Sequence, residues 1–369
     1  MHYLDHAATT PLRPQAREAM LRQWSEVGNP SSLHTAGRRA RRVVEESREH
    51  IAALIGAKPA DVVFTSGGTE ADNLAIKGLA RVGDRRRVLV SAIEHHAVLD
   101  PALALADEGF SVDRIPVDHL GRVDPAQLAA MLDEDVAVVA VMWANNEVGT
   151  IQPVADLAQV CRARGVPFHC DAVQALGQID MDVAGITSVA LSAHKVGGPV
   201  GVGALVLDRD LPVAPLVHGG GQERDVRSGT LDAAGIAGFA AALAADKEDL
   251  TGLRDMLIDG IREVVPEAVL NGDPVDRLPN NAHFSFPGCP GDALLMLLDA
   301  AGVAVSTGSA CTAGIPQPSH VLVAMGADET VARSSLRFSL GWNSTADDVA
   351  AVLAALPAAV QRARRAGGL

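Results

Sequence analysis

The sequence predicts an α/β protein with a mostly parallel central sheet, covered by helices on both faces, plus a smaller α+β domain. From about residue 40 to residue 210, short apolar runs alternate with amphipathic helical stretches. This alternation is typical of parallel strands buried on both faces. After about residue 250 the pattern changes to helices interleaved with short strands. We therefore expect a large domain over residues 12–250 and a small domain formed by residues 1–11 and 251–369.

The elements of the large domain follow from apolar runs bounded by turn residues. Its strand candidates are residues 62–65, 88–91, 136–142, 167–170, 188–192 and 203–207, and its clearest helices are residues 70–79 and 154–164. In the small domain the pattern predicts helices over 250–264, 292–300 and 319–325, with strands over 282–286, 303–306 and 334–340. Thr345 and Asp348 have the spacing of a helix cap, which predicts a final helix after them.

Composition excludes several classes of protein. A hydrophobic content of 48% predicts a globular chain, and a net charge of −14 argues against direct nucleic-acid binding. The sequence contains no run of about 18 apolar residues, so no membrane span is expected, and the N-terminus lacks the basic start of a signal peptide. The four cysteines form no CxxC pair, so no zinc site or other resident metal is expected. The expectation is a cytoplasmic enzyme.

Polar residues follow several of the predicted strands, at the points where the strands end. They are Ser66 to Thr69, His95, Asn146, Asp171 and Lys195. In open α/β sheets the ligand binds beyond the carboxyl ends of the strands. The sequence therefore predicts that these residues share one site.

Lys195 and Asp171 each allow a functional and a structural interpretation. A lysine at the end of a buried strand has a depressed pKa and can form a Schiff base with an aldehyde cofactor such as pyridoxal phosphate. The alternative is a surface lysine whose stem covers apolar atoms. Asp171 also follows an apolar strand and would pair with a pyridinium nitrogen. Its alternative is a helix N-cap.

The Gly-containing turn before Thr69 and the histidine at position 95 are weaker signals. Backbone N–H groups at a helix start, with the Thr69 hydroxyl, suit a phosphate. A tight turn with Thr69 or Ser66 as a helix cap explains the same pattern. His95 would stack on a flat ring or shuttle protons, or it has a purely structural role.

Cys311 lies in T-G-S-A-C-T-A-G, a run of small residues rather than the Leu and Ile of a core. This setting favours a reactive cysteine that can reach a bound substrate. The alternative is an inert core residue. Cys161 and Cys170 lie within a predicted helix and a predicted strand, and we interpret both as structural.

Several longer runs, taken in order, resemble the cysteine desulfurases of the class V aminotransferase family (NifS/IscS-like), a group of fold type I pyridoxal-phosphate enzymes. This resemblance implies a central sheet of the seven-stranded type. The resemblance covers essentially the whole chain. The matching runs are Y-L-D-H-A-A-T-T-P-L, G-N-P-S-S-L-H, F-T-S-G-G-T-E-A-D-N-L-A-I-K-G, E-H-H-A-V-L-D, N-N-E-V-G, D-A-V-Q, A-H-K, H-G-G-G-Q-E-R-D-V-R-S-G-T, S-T-G-S-A-C-T and R-F-S-L-G.

The resemblance implies a role for each matching residue. Lys195 would carry pyridoxal 5'-phosphate and move the substrate's α-proton, and Cys311 would accept the sulfur. The cofactor would be held by Asp171 at the pyridinium nitrogen, His95 on the ring, Gln174 at the ring hydroxyl, and Gly68, Thr69, Ser192 and His194 at the phosphate. Asn146 would contact cofactor and substrate, Arg337 the substrate carboxylate, and Thr230 the phosphate of a neighbouring subunit in a homodimer.

The implied reaction converts L-cysteine to L-alanine and leaves a persulfide on Cys311. The sulfur would pass to an acceptor protein, such as an iron–sulfur cluster scaffold or a tRNA-thiolation enzyme, and Cys311 could transiently ligate a cluster iron. Two alternatives stay open. One is a selenocysteine lyase or another class V aminotransferase-type enzyme. The other is a non-catalytic scaffold that keeps the fold as a binding module.

Overall fold

The computed structural model describes residues 1–308 and 318–366 of the chain. The strands within these ranges are β1 (His2–Tyr3), β2 (Val62–Thr65), β3 (Arg87–Ser91), β4 (Ser111–Ile115), β5 (Val136–Ala140), β6 (Phe168–Asp171), β7 (Ser188–Ser192), β8 (Gly203–Leu207), β9 (Val269–Leu270), β10 (Asn281–Ser285), β11 (Val303–Ala304) and β12 (Ser335–Ser339). The helices are α1 (Pro14–Trp24), α2 (Thr35–Leu54), α3 (Gly68–Ala80), α4 (His96–Ala104), α5 (Pro125–Met131), α6 (Val154–Ala163), α7 (Ala233–Leu243), α8 (Thr251–Val264), α9 (Gly291–Ala300), α10 (His320–Ala324), α11 (Glu329–Arg333) and α12 (Ala346–Ala366).

A seven-stranded sheet forms the centre of the large unit, in the order β2-β8-β7-β6-β5-β3-β4. Strand β8 runs antiparallel to both of its neighbours, and the other pairs are parallel. This confirms the predicted fold class. Strands β5, β7 and β8 are buried at every position, which explains why β5 and β8 contain no polar side chain and β7 has only its two terminal serines.

Strand β4 is the strand of the central sheet that the sequence did not predict. Its five residues, S-V-D-R-I, alternate in polarity, and it forms the edge of the sheet beside β3. Only Ile115 is buried in this strand. An edge strand with one solvent-exposed face has fewer apolar residues than a central strand, and five residues are too few to show the alternation clearly.

Apolar clusters on the two faces of the sheet account for its helical covering. One cluster joins sheet residues such as Phe64 to Val44 and Ile51 of α2 and Phe239 of α7. The other cluster packs Leu74 and neighbouring residues of α3, together with residues of α4, against the opposite face. The sheet therefore presents only its edges and strand ends to ligands.

The second unit is built on a small antiparallel sheet in the order β12-β10-β9, which packs against α8 and α9, and α12 packs on these two helices. Its apolar core includes Leu4 as well as Phe284 and Phe338, and β1 pairs in parallel with β11. The N-terminal strand thus packs with residues some 300 positions away. Thr345 and Asp348 cap the final helix as predicted, since the Asp348 carboxylate accepts the Thr345 N–H at 2.8 Å. In the described ranges, no helix is long and apolar enough to cross a membrane.

Candidate active site

A cavity of about 260 Å³ opens at the carboxyl ends of the central strands. Residues predicted separately along some 130 positions of sequence converge on it, because the parallel strands end at one edge of the sheet. The predicted residues that line it are Gly68, Thr69, His95, Asn146, Asp171, Gln174, Ser192, His194 and Lys195.

Lys195 follows β7 in a single tight turn and directs its amine to the N-terminal segment. Its Nζ donates to the carbonyl oxygens of Ala7 at 2.6 Å and Ala8 at 2.8 Å. Burial and then the positive charge of Arg337 lower the pKa of Lys195 to about 8, against the opposing effect of Asp171 and Asp5. The amine is therefore much easier to deprotonate than that of a solvent-exposed lysine.

Asp171 ends β6 as a buried carboxyl. One of its oxygens accepts the Val173 N–H at 2.9 Å. Burial raises the pKa of Asp171 to about 6, while the Val173 hydrogen bond and the Lys195 charge act in the opposite direction. A cationic group placed against this carboxyl would stabilise its ionised form.

The turn after β2 places the start of α3 at the cavity. Gly67 is the N-cap of α3, and no side chain caps this helix, so neither Ser66 nor Thr69 has the capping role weighed above. A Cβ at Gly68 would lie 2.7 Å from Cγ2 of Val173, so the close approach of the two segments requires glycine. The free N–H groups of the first turn of α3 suit an anion.

His95 has a structural role and also lines the cavity. It is the N-cap of α4, and its Nδ1 accepts the Ala97 N–H at 3.0 Å, so the proton of the neutral ring lies on Nε2. Burial and then the Lys195 charge lower the pKa of His95 to about 4. The same two causes lower the pKa of His194 to about 4. Both rings are therefore neutral at physiological pH.

Arg337 and Asn146 meet beside the cavity, each with a polar atom left over. Arg337 donates from Nη1 to the Asn146 carbonyl oxygen and from Nη2 to Asp5 Oδ1, both at 2.8 Å. The Nε of Arg337 and the Oδ1 of Asn146 are buried without a hydrogen-bond partner. Buried polar atoms without partners are costly, and here a donor and an acceptor are both available to a ligand.

Sequence reasoning missed a buried pair beneath the cavity. Asp72 lines the cavity, and its Oδ1 lies 3.0 Å from Nε2 of His169, whose Nδ1 lies 2.9 Å from the Ser188 hydroxyl. Two spacings could have indicated it. Asp72 is three residues after Thr69 on a helix, and His169 is two residues before Asp171 on a strand, so each shares a face with a residue already singled out.

Two predicted residues in the described ranges do not line this cavity, Arg337, which lies beside it, and Thr230. Thr230 is exposed and is not one of the residues that line the cavity. Cys311 lies outside the described residues. The chain that leads to it passes next to Arg337, since Ser306 and Arg337 exchange backbone hydrogen bonds of 3.2 Å and 2.7 Å.

A seven-stranded, mostly parallel sheet with a lysine and a buried carboxyl at its strand ends defines a class of enzyme that uses pyridoxal phosphate. The family model described as aminotransferase class-V matches residues 2–352. The IscS-like cysteine desulfurase of Mycobacterium tuberculosis is 53% identical, over 99% of this chain and 98% of that protein. The cysteine desulfurase NifS of Azotobacter vinelandii is 41% identical, over 98% of this chain and 93% of that protein.

Solved structures agree with the sequence relatives. A NifS-like protein superposes with a TM-score of 0.91 at 35% identity, covering 98% of this chain and 99% of that one. A NifS-like protein from Rickettsia africae gives a TM-score of 0.88 at 31% identity, covering 98% and 99% of the two chains. The chain belongs to the aminotransferase class-V family and, within it, to the IscS/NifS group of cysteine desulfurases.

Proposed function

We propose that the protein is a pyridoxal-phosphate-dependent cysteine desulfurase, which converts L-cysteine to L-alanine and transfers the sulfur to Cys311 as a persulfide. The observation that carries this proposal is the convergence of Lys195, Asp171 and the start of α3 on one cavity. An amine with a lowered pKa, a buried carboxyl and a helix N-terminus match the aldehyde, the pyridinium nitrogen and the phosphate of that cofactor.

The residues present fit the cofactor. Gly68 leaves room only for a hydrogen where a Cβ would meet Val173. Asp171 would hold the ring nitrogen, His95 would lie on the ring, and Gln174 would face its hydroxyl. The phosphate would be held by Gly68, Thr69, Ser192 and His194. When bound, pyridoxal phosphate supplies an electron sink for a carbanion at the substrate's α-carbon.

Lys195 has the properties of the group that binds the cofactor covalently and then moves the α-proton. Its lowered pKa makes the neutral amine accessible near physiological pH, which both tasks require. The Ala7 and Ala8 carbonyls hold Nζ in place until the cofactor is captured. The Asp171 carboxylate would be ionised beside the cationic ring nitrogen and would favour the protonated form of that nitrogen.

Asn146 and Arg337 would bind the carboxylate of L-cysteine. The unpartnered Nε of Arg337 gives the guanidinium a spare donor, and a carboxylate pairs well with such a group. The thiolate of Cys311 would take the sulfur, because the thiol form is a poor nucleophile. The persulfide then passes to an acceptor protein, for which an iron–sulfur scaffold is the first candidate and a tRNA-thiolation enzyme the second.

The protein would act as a homodimer. Thr230 is exposed, and in the IscS/NifS group the matching threonine would contact the cofactor phosphate of the neighbouring subunit. A site completed by a partner explains why an otherwise polar, glycine-rich segment, residues 219–230, lies at the surface of one subunit.

The decisive experiment measures alanine released from L-cysteine and the mass of the peptide that contains Cys311. We expect stoichiometric alanine and a mass increase of one sulfur atom on that peptide. Lys195→Ala should abolish alanine formation, and Lys247→Ala, at an exposed lysine, should not. Alanine formed only from selenocysteine, or no persulfide on Cys311, would overturn the proposal.

A further inference from the structure

The segment of residues 219–230 has an unusual backbone at its centre. Glu223, Arg224 and Asp225 have φ values of 45°, 60° and 62°. They are the non-glycine residues with positive φ in the described part of the chain. L-residues avoid this region because Cβ crowds the backbone carbonyl, and three in succession persist only if surrounding contacts impose them.

The first such contact is a buried ion pair at the edge of the central sheet. Arg48 of α2 binds both carboxylate oxygens of Glu223, at 2.8 Å and 2.7 Å. Glu223 also accepts the Phe64 N–H at 2.7 Å, and Arg48 donates to the Val62 carbonyl at 2.6 Å. Because β2 is an edge strand, the ion pair occupies backbone groups that a further strand would otherwise bind.

The second contact joins the same segment to the turn at the start of α3. Arg227 donates from Nε to Glu70 Oε1 at 2.8 Å and from Nη2 to Oε2 at 3.3 Å. Glu70 Oε2 in turn accepts the Ser66 N–H at 2.7 Å. Glu70 thus connects the proposed phosphate turn of its own subunit with a residue only three positions before Thr230.

We propose that the ion pairs Arg48–Glu223 and Arg227–Glu70 are positioning pairs that hold Thr230 in place for the cofactor phosphate of the neighbouring subunit. This inference rests on the proposed function, because it needs both the cofactor and the dimer. Each residue pair acts through Thr230 rather than by touching the partner's cofactor. The alternative is a purely structural role, in which both ion pairs only stabilise the fold of their own subunit.

Mixed dimers separate the two interpretations. One subunit carries Lys195→Ala and cannot bind the cofactor covalently. The absorbance band of covalently bound cofactor therefore reports only on the other subunit. Arg227→Gln is then placed either in the Lys195→Ala subunit (in trans) or in the subunit that is read (in cis). We expect the trans variant to raise the cofactor dissociation constant about tenfold, the loss typical of a misplaced hydrogen bond to a charged group.

A double-mutant cycle tests the route of the effect. Thr230→Val in trans should weaken binding to a similar extent, and adding Arg227→Gln to the same subunit should cause little further loss. Arg227→Lys should restore part of the affinity, and Arg224→Gln, at an exposed neighbour in the same run, should leave it unchanged. Glu223→Gln, which can still accept the Phe64 N–H, gives a second trans variant should Arg227→Gln fold poorly.

A loss that follows the cis placement alone, or that adds fully to the Thr230→Val loss, would overturn the inference. Failure of the proposed function has a different signature, since the parent mixed dimer would then bind no cofactor covalently or would not assemble.

Discussion

The lowered pKa of Lys195 makes a quantitative prediction about cofactor capture. The pKa falls from the ordinary 10.5 to about 8 because the amine is buried and faces Arg337. At pH 7 a group with a pKa of about 8 is roughly 9% neutral, and one with a pKa of 10.5 is roughly 0.03% neutral. Since only the neutral amine attacks an aldehyde, the reactive fraction of Lys195 at pH 7 should be about 300-fold larger than that of an ordinary lysine.

The assay mixes cofactor-free protein with pyridoxal phosphate and follows the absorbance change over pH 6–10. The capture rate should rise about tenfold per pH unit and level off near pH 8. Arg337→Gln removes the positive charge that faces the amine, so its inflection should move to higher pH and its rate at pH 7 should fall. The cofactor's own ionisations are common to both proteins, so the difference between the two profiles reports the protein.

Lys247→Gln, at a lysine that pairs with exposed Asp180, should reproduce the parent profile. Two results would refute the reasoning. One is a parent rate that keeps rising to pH 10, which would mean that burial does not lower the pKa of Lys195. The other is an unchanged inflection in Arg337→Gln, which would mean that Arg337 does not act on the amine.

Three further predictions concern other parts of the molecule. Cys311→Ser should keep its stability and bind the cofactor normally. It should lose persulfide formation by orders of magnitude, because a neutral hydroxyl cannot replace the thiolate. Wild-type alanine production by this variant would contradict the role of Cys311. His169→Leu should lower the free energy of unfolding by about 3 kcal/mol in urea titration, since it leaves the buried Asp72 carboxyl and Ser188 hydroxyl unpaired. His169→Gln should lower the free energy of unfolding by less. Equal decreases in the two variants would argue against the hydrogen bonds. Gly203→Ala should destabilise the fold by about 3 kcal/mol, because the new Cβ would lie 2.6 Å from the Gly67 carbonyl carbon and the Leu191 oxygen. Gly252→Ala in α8 is the matched control. No atom lies within 4 Å of its new Cβ, so it should not destabilise the fold.

Local patterns in the sequence were sufficient for the core of the fold and much of the site. A strand that is buried on both faces must be largely apolar, so β5, β7 and β8 are recognisable from composition alone. Their carboxyl ends must lie together, so polar residues that follow separate strands, such as Asp171 and Lys195, predict a shared cavity. The motif order then identified the family, because it depends only on which residues follow which.

Contacts between distant segments were decided only by the tertiary structure. The carbonyls of Ala7 and Ala8 that hold Lys195 lie 188 and 187 residues away in sequence, and Glu223 lies 175 residues from Arg48. Backbone carbonyls carry no sequence signature, and an ion pair leaves no periodicity that links its two partners. The pKa of Lys195 also depends on long-range contacts, because it is set by burial and by the charge of Arg337 on β12. Sequence pattern therefore indicated most of the residues that line the cavity, whereas long-range packing added Asp72 and determined how the side chains are held and charged.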